Sequence, residues 1–400
     1  MGDSDLSLSL PRNCEKYLFV VAATAAVACS SSSADGGDSG VAFPSRRPTF
    51  EAAGRRLGYV ANRSSDTVSV LDLDAMTLLG NVPVGRDPVD IDGPRHVVID
   101  SASGVAYVAL SYPFSTPSAH ALSTGGETQR SGYVEALKLS DLSVAGDLRV
   151  DPAAGDVAFS PASGQLAVSH YDLFRALQSD VDARRANLVL VAPASAIVTG
   201  DAAPVRVSVC SVPAAIAFNG DGSRVFVSCT GEDSVAVVDS TSAEVLSRVP
   251  SGSTVVEQPY ALVADAASQR LLISNQVASS VAVFDMSDTP NLLSTLPMPG
   301  TPHFPAWISA STLAVPLQNP SGAALFDVTT GELLLQIQYS DAECNNPAEL
   351  SVSSDSRLRL VCEGDHYTPG AVVELDPATL AIKSSVSVGL YPERMAIAEP

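Results

Sequence analysis

The chain has 400 residues, of which 46% are hydrophobic and 17% are charged, and its 44 acidic against 23 basic residues give a net charge of −21. This acidity argues against nucleic acid and against an anionic membrane surface as partners, because both are bound through clustered Lys and Arg. Helix-period runs are almost absent, while short Val-, Ser- and Thr-rich segments punctuated by Gly recur throughout. This pattern predicts an all-β fold.

The first 28 residues have the layout of a signal peptide. Arg12 and Lys16 precede an apolar run (residues 17–28), shorter than the roughly 20 residues that span a bilayer. The run ends in the letters AVAC (residues 26–29), which resemble a bacterial lipobox with Ala in the place where Leu is most common. The resemblance implies that Cys29 is lipidated. The alternative is ordinary cleavage just before Cys29, which leaves it as a free thiol.

Residues 29–55 are expected to form a tether. From Ser30 to Gly40 the chain contains only Ser, Ala, Gly and Asp, too little apolar surface to order itself. A flexible coil of about 25 residues reaches on the order of 25–30 Å. Ser30 stands where similar lipoproteins retained at the inner membrane carry Asp. We therefore expect an outer-membrane anchor, in the periplasm or at the cell surface, with the lipid as the only membrane contact.

Residues 56–400 contain one unit repeated seven times. A short strand starts each unit, and its copies begin at Leu57, Val105, Gln165, Arg224, Arg270, Ser311 and Leu358. Another strand of the unit is opened in six copies by proline: Pro94, Pro213, Pro259, Pro305, Pro347 and Pro392, with Ala154 in the remaining place. Four short strands in each repeat of 42–60 residues predict a seven-bladed β-propeller of four antiparallel strands per blade.

The phase of the repeat predicts how the ring closes. The folded chain starts with the first strand type, near Leu57, and ends with the type that proline opens, after Pro392. If that type is the innermost strand, the C-terminal strand completes the first blade. This closure removes the free edge of an open sheet.

The segment from Tyr59 to Gly85, with YVAN, DTVSVLDL and VPVG, resembles the Tyr-Val-Thr-Asn (YVTN-type) family of surface and periplasmic propellers. The resemblance covers nearly all of residues 57–400. It implies the fold far more strongly than an activity, because the family includes both surface-layer proteins and lactonase-like relatives.

Four cysteines form two copies of one arrangement. Cys210 and Cys344 each stand three residues before a strand-opening proline, and Cys229 and Cys362 follow 19 and 18 residues later. The two ends lie side by side in an antiparallel pair, so an oxidising compartment predicts the disulfides Cys210–Cys229 and Cys344–Cys362. A four-thiolate metal site is the alternative, but the two pairs lie three blades apart.

We expect the binding site on the face where the inter-blade loops open, since loops on rigid scaffolds carry function. The long insertions and all five histidines are predicted to lie on this face. The candidate ligand-binding residues are His96, Asp156, His170, Asp172, Trp307, Glu349 and His366.

A divalent or transition metal is a second hypothesis for the same face, because imidazole suits zinc, copper and nickel. Its candidate ligands are His96, His120, His170, His303 and His366. The alternative is that these are loop histidines with ordinary hydrogen bonds.

The sequence lacks haem-attachment, zinc-protease, nucleophile-elbow and phosphate-loop motifs. The first expectation is therefore a monomeric, non-catalytic binding module whose looped face takes an unknown protein or small molecule. The second is a lactonase-like hydrolase at the channel mouth, with Arg95, His96, Glu349, Glu393 and Arg394 as candidates. The third is a metal-binding periplasmic propeller.

Overall fold

Seven antiparallel sheets account for almost all regular structure in the computed structural model, which describes residues 49–85, 91–111 and 131–400. Each sheet is one blade, named here in chain order. Blade 1 consists of β1 (Leu57–Asn62), β2 (Thr67–Asp72), β3 (Thr77–Pro83) and β29 (Pro392–Ala398), and blade 2 of β4 (Pro94–Asp100), β5 (Val105–Leu110), β6 (Tyr133–Lys138) and β7 (Val144–Arg149). Blade 3 consists of β8 (Ala154–Ser160), β9 (Gln165–His170), β10 (Arg185–Val191) and β11 (Val205–Ser211), and blade 4 of β12 (Pro213–Phe218), β13 (Arg224–Cys229), β14 (Ser234–Asp239) and β15 (Val245–Pro250).

The last three blades complete the ring. Blade 5 consists of β16 (Pro259–Asp265), β17 (Arg270–Asn275), β18 (Ser280–Asp285) and β19 (Leu292–Pro297), and blade 6 of β20 (Thr301–Pro302), β21 (Ala306–Trp307), β22 (Thr312–Gln318), β23 (Gly322–Asp327) and β24 (Glu332–Gln338). Blade 7 consists of β25 (Pro347–Val352), β26 (Leu358–Cys362), β27 (Pro369–Leu375) and β28 (Ile382–Leu390). Short helices are α1 (Leu173–Ala176), α2 (Ala196–Thr199), α3 (Asp341–Cys344) and a 3-10 turn (Thr230–Glu232). In the described ranges no helix has the length and apolarity to cross a membrane.

The ring closes as the sequence predicts. β29 pairs antiparallel with β1, from Leu57 opposite Ala398 to Ala61 opposite Arg394. The sheet order of blade 1 is β29-β1-β2-β3, so the C-terminal strand is its innermost strand. Closure therefore depends on the last residues of the chain.

Apolar side chains between neighbouring blades form the core. Between blades 2 and 3, for example, Tyr107 and Val134 pack in one cluster with Val157 and Leu166, all without exposed surface. An isolated four-stranded sheet would expose both faces, and stacking the blades buries them.

A repeated backbone device opens the innermost strands of six blades. The residue just before each strand has a left-handed conformation, and these residues are Gly93, Ala153, Val212, Gln258, Asn346 and Tyr391. Each of their carbonyls accepts the N–H of the residue that follows the neighbouring strand, as Val212 accepts from Thr230 at 3.0 Å. Only Gly93 is glycine, so five positions carry backbone strain that the closed ring has to outweigh.

A bulge follows at once in the same strands. The register jumps from Pro94 to His96 and from Ala154 to Val157, and equivalent jumps occur at the start of β12, β16, β25 and β29. A bulge re-aims the side chains it inserts. The inserted residues, such as Arg95 and Asp156, therefore point into the central channel.

Blade 6 departs from the predicted repeat. Pro305 does not open a continuous innermost strand, because β20 and β21 are two-residue fragments on either side of residues 303–305. Between them Phe304 turns to blade 7: its N–H donates to Ala348 and its carbonyl accepts from Leu350, each at 3.0 Å. Prolines at 302 and 305 offer no N–H for a longer ladder, which explains the interruption.

Both predicted disulfides are confirmed. Cys210 and Cys229 have Cα atoms 5.9 Å apart, and those of Cys344 and Cys362 are 5.2 Å apart. Cys210 lies in β11, the outermost strand of blade 3, and Cys344 ends α3, while Cys229 and Cys362 are the last residues of β13 and β26. Closing loops of this length stabilises a protein by about 3 kcal/mol in the chain-entropy model.

Deleting the last eight residues, from Glu393 to Pro400, should abolish cooperative unfolding, because β1 becomes a free edge and the channel loses two of its charged side chains. Thermal unfolding followed by circular dichroism measures this. The control deletes only Glu399 and Pro400, which lie beyond β29; it removes one ion pair with Arg56 and one hydrogen bond from the N–H of Ser354, both near the surface and of small effect. A wild-type unfolding midpoint for the longer deletion would contradict the assigned closure.

Candidate functional site

The channel opens in a pocket at the end of the ring where the innermost strands begin. The space between its lining residues is about 440 Å³ when the open solvent above the mouth is counted, and only about 30 Å³ of it admits the centre of a water-sized molecule. The charged and aromatic side chains that shape it include Arg95, His96, Asp156, Tyr260, Glu393 and Arg394. Most of them are the residues that the bulges insert or the ones directly after them, so one backbone device positions the whole site.

Asp156 is the most densely bonded carboxylate of the mouth. Its Oδ1 lies 2.8 Å from Nη1 of Arg394 and 2.5 Å from Nδ1 of His96, and its Oδ2 accepts the N–H of Ile216 at 2.9 Å. The His96 contact is close, but its direction departs from that of a hydrogen bond. Burial alone would raise the pKa of Asp156, but Arg394 and the other partners outweigh burial and lower it to about 2. Asp156 is therefore a permanent anion.

Arg394 crosses the channel between two blades. Besides Asp156 of blade 3 it binds Glu349 of blade 7, with Nε 2.8 Å from Oε1. The other oxygen of Glu349 accepts the N–H of Met395 at 2.6 Å, and the guanidinium lies 3.9 Å above the ring centre of Phe304. Burial would lower the pKa of Arg394, but the two carboxylates raise it above its ordinary value. The cation is held rigidly on three sides.

Glu393 forms a second ion-pair centre beside the first. Its Oε2 lies 3.0 Å from Nε of Arg95 and its Oε1 lies 2.9 Å from Nη1 of Arg63. Burial would raise the pKa of Glu393, but the two guanidinium groups lower it. Arg95 also lies 5.4 Å above the ring centre of Tyr171. Asp156 and Glu393 are therefore ionised, and each is paired with at least one of the arginines Arg63, Arg95 and Arg394.

An aromatic wall completes the pocket on the side of blades 3, 5 and 6. Tyr260 contacts Tyr171 edge-on at 6.2 Å between ring centres, His303 at 5.3 Å and Phe304 at 6.0 Å. Burial raises the pKa of Tyr260, so its hydroxyl keeps its proton and offers a donor to a ligand. Nε2 of His303 lies 2.8 Å from the side-chain amide of Gln276. Burial lowers the pKa of His303 to about 4, so this imidazole is neutral near pH 7.

The structure brings only some of the sequence-predicted ligand-binding residues to the mouth. His96 and Asp156 line it, Glu349 holds its central arginine, and His366 stands at its edge. The other three lie away from the channel pocket. His170 and Asp172 lie in a separate groove, because strand alternation turns His170 away from the channel while Tyr171 faces it. Trp307 packs in the core between blades 5 and 6.

The four histidines that the structure describes, His96, His170, His303 and His366, belong to no cluster that could hold a metal. Within the described residues, no three His, Cys, Asp or Glu side chains lie close enough together to hold one. His170 donates from Nδ1 to the carbonyl of Asn187 at 2.7 Å, and burial lowers its pKa. His120 lies outside the described residues, as do Cys29, the leader (residues 1–28) and most of the tether.

Sequence reasoning singled out Arg95, Glu393 and Arg394, together with Asp156 and Glu349, but not which of them pair, and it missed Arg63 and Glu363. The first two positions after each strand-opening proline carry a usable signal. They hold Arg95 and His96 in blade 2 and Glu393 and Arg394 in β29. Polar residues there interrupt otherwise apolar strands.

Comparison with known proteins supports the fold. A model of the family described as "Lactonase, 7-bladed beta-propeller" matches residues 179–303, which is less than half of the chain. No curated protein sequence matches the chain.

Several solved structures resemble the protein at low sequence identity. The periplasmic gluconolactonase of Pseudomonas aeruginosa is 15% identical with a TM-score of 0.62, over 86% of this chain and 99% of that one. A putative 6-phosphogluconolactonase of Bacteroides fragilis is 10% identical with a TM-score of 0.56, over 87% and 99%. Hydrazine synthase of Kuenenia stuttgartiensis is 14% identical with a TM-score of 0.57, over 78% and 91%. Similarity at this level of sequence identity establishes the propeller fold alone, so the activity has to be argued from the geometry of the site.

Replacing His303 by Gln should make stability less dependent on pH between about 6.5 and 4. The unfolded chain takes up a proton on this histidine near pH 6.5, whereas the folded protein does so only near pH 4. The unfolded state therefore binds more protons in this window, and the free energy of unfolding falls as the pH falls. The wild type should lose about 3 kcal/mol more than the variant between pH 7 and 4.

Urea unfolding of both proteins at the two pH values measures this difference. The values at pH 7 serve as the control, since they report any loss from the substitution itself. Equal pH-dependent losses in the two proteins would contradict a buried, neutral His303.

Proposed function

We propose that the protein is an exported hydrolase that opens a small lactone ring at the channel mouth. The observation that carries the proposal is the His96–Asp156 pair in the pocket, with Nδ1 of the imidazole 2.5 Å from the carboxylate. Once the imidazole turns to donate from Nδ1 to this adjacent carboxylate, Nε2 is left to act as a general base, as in other hydrolytic sites. Because Asp156 stays ionised, it also stabilises the imidazolium that forms when His96 takes a proton.

The groups around His96 can perform the remaining steps of ester hydrolysis. His96 removes a proton from water, and the hydroxide adds to the lactone carbonyl. The negative charge that develops on the carbonyl oxygen requires fixed positive charge in a site shielded from water. Arg95 and Arg394 are the pocket cations that supply it, and the Tyr260 hydroxyl is a further donor. A propeller from a lactonase-type family agrees with this reaction class, although His96 and Asp156 lie outside the matched residues.

A non-catalytic binding module is the second candidate, and a specific observation favours it. Arg394 is shared by Asp156 and Glu349, and Arg95 and Arg63 share Glu393. A mouth whose charges satisfy one another needs no chemistry to be stable. In this case a ligand docks on the mouth and leaves unchanged.

Export and anchoring complete the proposal. The two disulfides support an oxidising compartment such as the periplasm or the cell surface. We infer that lipidation of Cys29 holds the propeller at the outer membrane through residues 29–55, with the mouth free to meet a soluble ligand.

Replacing His96 by Gln should lower kcat/KM for gluconolactone about 100-fold or more, which is the usual contribution of a general base. Asp156→Asn should cause a loss of similar size, because the imidazole then loses its anion. Base uptake at constant pH measures the acid released.

The control variant is Lys383→Gln, which removes an exposed cation from the outermost strand β28 and leaves the mouth intact. It should retain wild-type activity. A His96→Gln protein as active as the wild type would contradict the mechanism. A wild type that binds gluconolactone calorimetrically without hydrolysing it would establish the binding module instead.

A further inference from the structure

A second pair of histidine and carboxylate borders the same pocket, and the mechanism above does not use it. Glu363 follows β26, lines the channel mouth and is 8% exposed. Its Oε2 lies 3.1 Å from Nε2 of His366. The disulfide Cys344–Cys362 fixes the backbone immediately before Glu363, so the carboxyl group has a rigid support.

The backbone of His366 is strained, and neighbouring contacts hold it in that conformation. It has a left-handed backbone with φ of +67°, which is uncommon for a residue other than glycine. The turn is fixed by Asp365, whose Oδ1 accepts the N–H groups of Tyr367 and Thr368. The imidazole stacks on the ring of Tyr391, with 3.5 Å between ring centres and 8° between planes. Strain that the surrounding structure maintains at a pocket is a reason to look for function.

The pair connects the pocket with solvent. The His366 side chain is 36% exposed, whereas that of Glu363 is 10% exposed. His366 therefore contacts bulk water, whereas Glu363 faces the pocket. This geometry lets protons pass between them without opening the pocket.

The surroundings of Glu363 are unlike those of Asp156. The charged groups that act on it are His366, Arg63 and Glu393, and the phenols of Tyr260 and Tyr391 lie near it. Burial raises its pKa, Glu393 adds to the rise, and His366 and Arg63 oppose it, with the net result above the ordinary value. The pocket thus holds two carboxyl groups that stay ionised, Asp156 and Glu393, and one, Glu363, that keeps its proton more readily. Acid and base roles divide in this way at many active sites.

Resting on the proposed hydrolysis, we propose that Glu363 donates the proton to the leaving oxygen of the lactone and that His366 returns a proton to it from solvent. His96 takes one proton from water, and the resulting hydroxide forms the new C–O bond. When the tetrahedral intermediate collapses, the ring C–O bond breaks and its oxygen takes the proton of Glu363. The products are a free hydroxyl and a carboxylic acid, which ionises; its proton and the proton on His96 go to solvent while His366 reprotonates Glu363, so that one proton is released per lactone.

The test compares two lactones that differ in their leaving group. An alkyl lactone such as gluconolactone expels an alkoxide, which needs a proton donor, whereas an aryl lactone such as dihydrocoumarin expels a phenoxide, which does not. Glu363→Gln should lower kcat about 100-fold for the alkyl lactone and should leave the aryl lactone nearly unaffected. It should also remove the alkaline fall of the pH–rate profile for the alkyl lactone. His366→Asn should lower the rate of hydrolysis measured without added buffer, because Glu363 is then reprotonated slowly. Added imidazole should restore this rate by supplying the proton.

Equal losses on both lactones would show a structural role for Glu363 and would overturn the proposal, as would no loss on either. A wild type that hydrolyses neither lactone contradicts the proposed function, and infrared spectroscopy then tests the proton-holding role separately. A carboxylic-acid band that persists at about pH 6, where ordinary Glu side chains are ionised, and that disappears in Glu363→Gln supports this role. Absence of that band overturns it.

Discussion

The ion pair between Arg394 and Asp156 ties the end of the chain to a blade two places around the ring. Arg394 belongs to the strand that closes blade 1, Asp156 opens the innermost strand of blade 3, and Glu349 holds the same guanidinium from blade 7. A buried charge left without its partner destabilises a protein strongly. The network therefore makes ring closure and the shape of the mouth one property, since displacing β29 breaks both.

The bulges at the start of the innermost strands place these charged side chains in the channel, where they form the candidate site. Inserted residues leave the strand register and point into the channel, so the ring needs no long loop to bring distant charges together. Among the carboxyl groups that line the resulting pocket, Asp156 and Glu363 differ in how readily they bind a proton. Asp156 is surrounded by donors and stays ionised, whereas Glu363 is buried with fewer partners and keeps its proton more readily. Such separation supports acid–base chemistry more than passive docking.

Repeat spacing predicted the blades, the closure and both disulfides, because each depends on local strand order and antiparallel neighbours. Which side chains meet across the channel was not predictable in the same way, since Arg394 and Asp156 are 238 positions apart and meet only in the closed ring. His170 lies away from the channel because side chains alternate along the chain, so that Tyr171 and not His170 faces the mouth. Trp307 packs against the core of blades 5 and 6, because the innermost strand of blade 6 is interrupted at a place that the regular repeat does not predict.

The central claim is that Arg394 and Asp156 act as one unit across the channel, and a double-mutant cycle tests it most directly. Urea unfolding of wild type, Asp156→Asn, Arg394→Gln and the double variant measures their coupling free energy. We predict a coupling of about 1–3 kcal/mol, the range found for residues in one network. Single-variant losses that add to within about 0.5 kcal/mol would contradict the account, because the two side chains would then stabilise the ring independently.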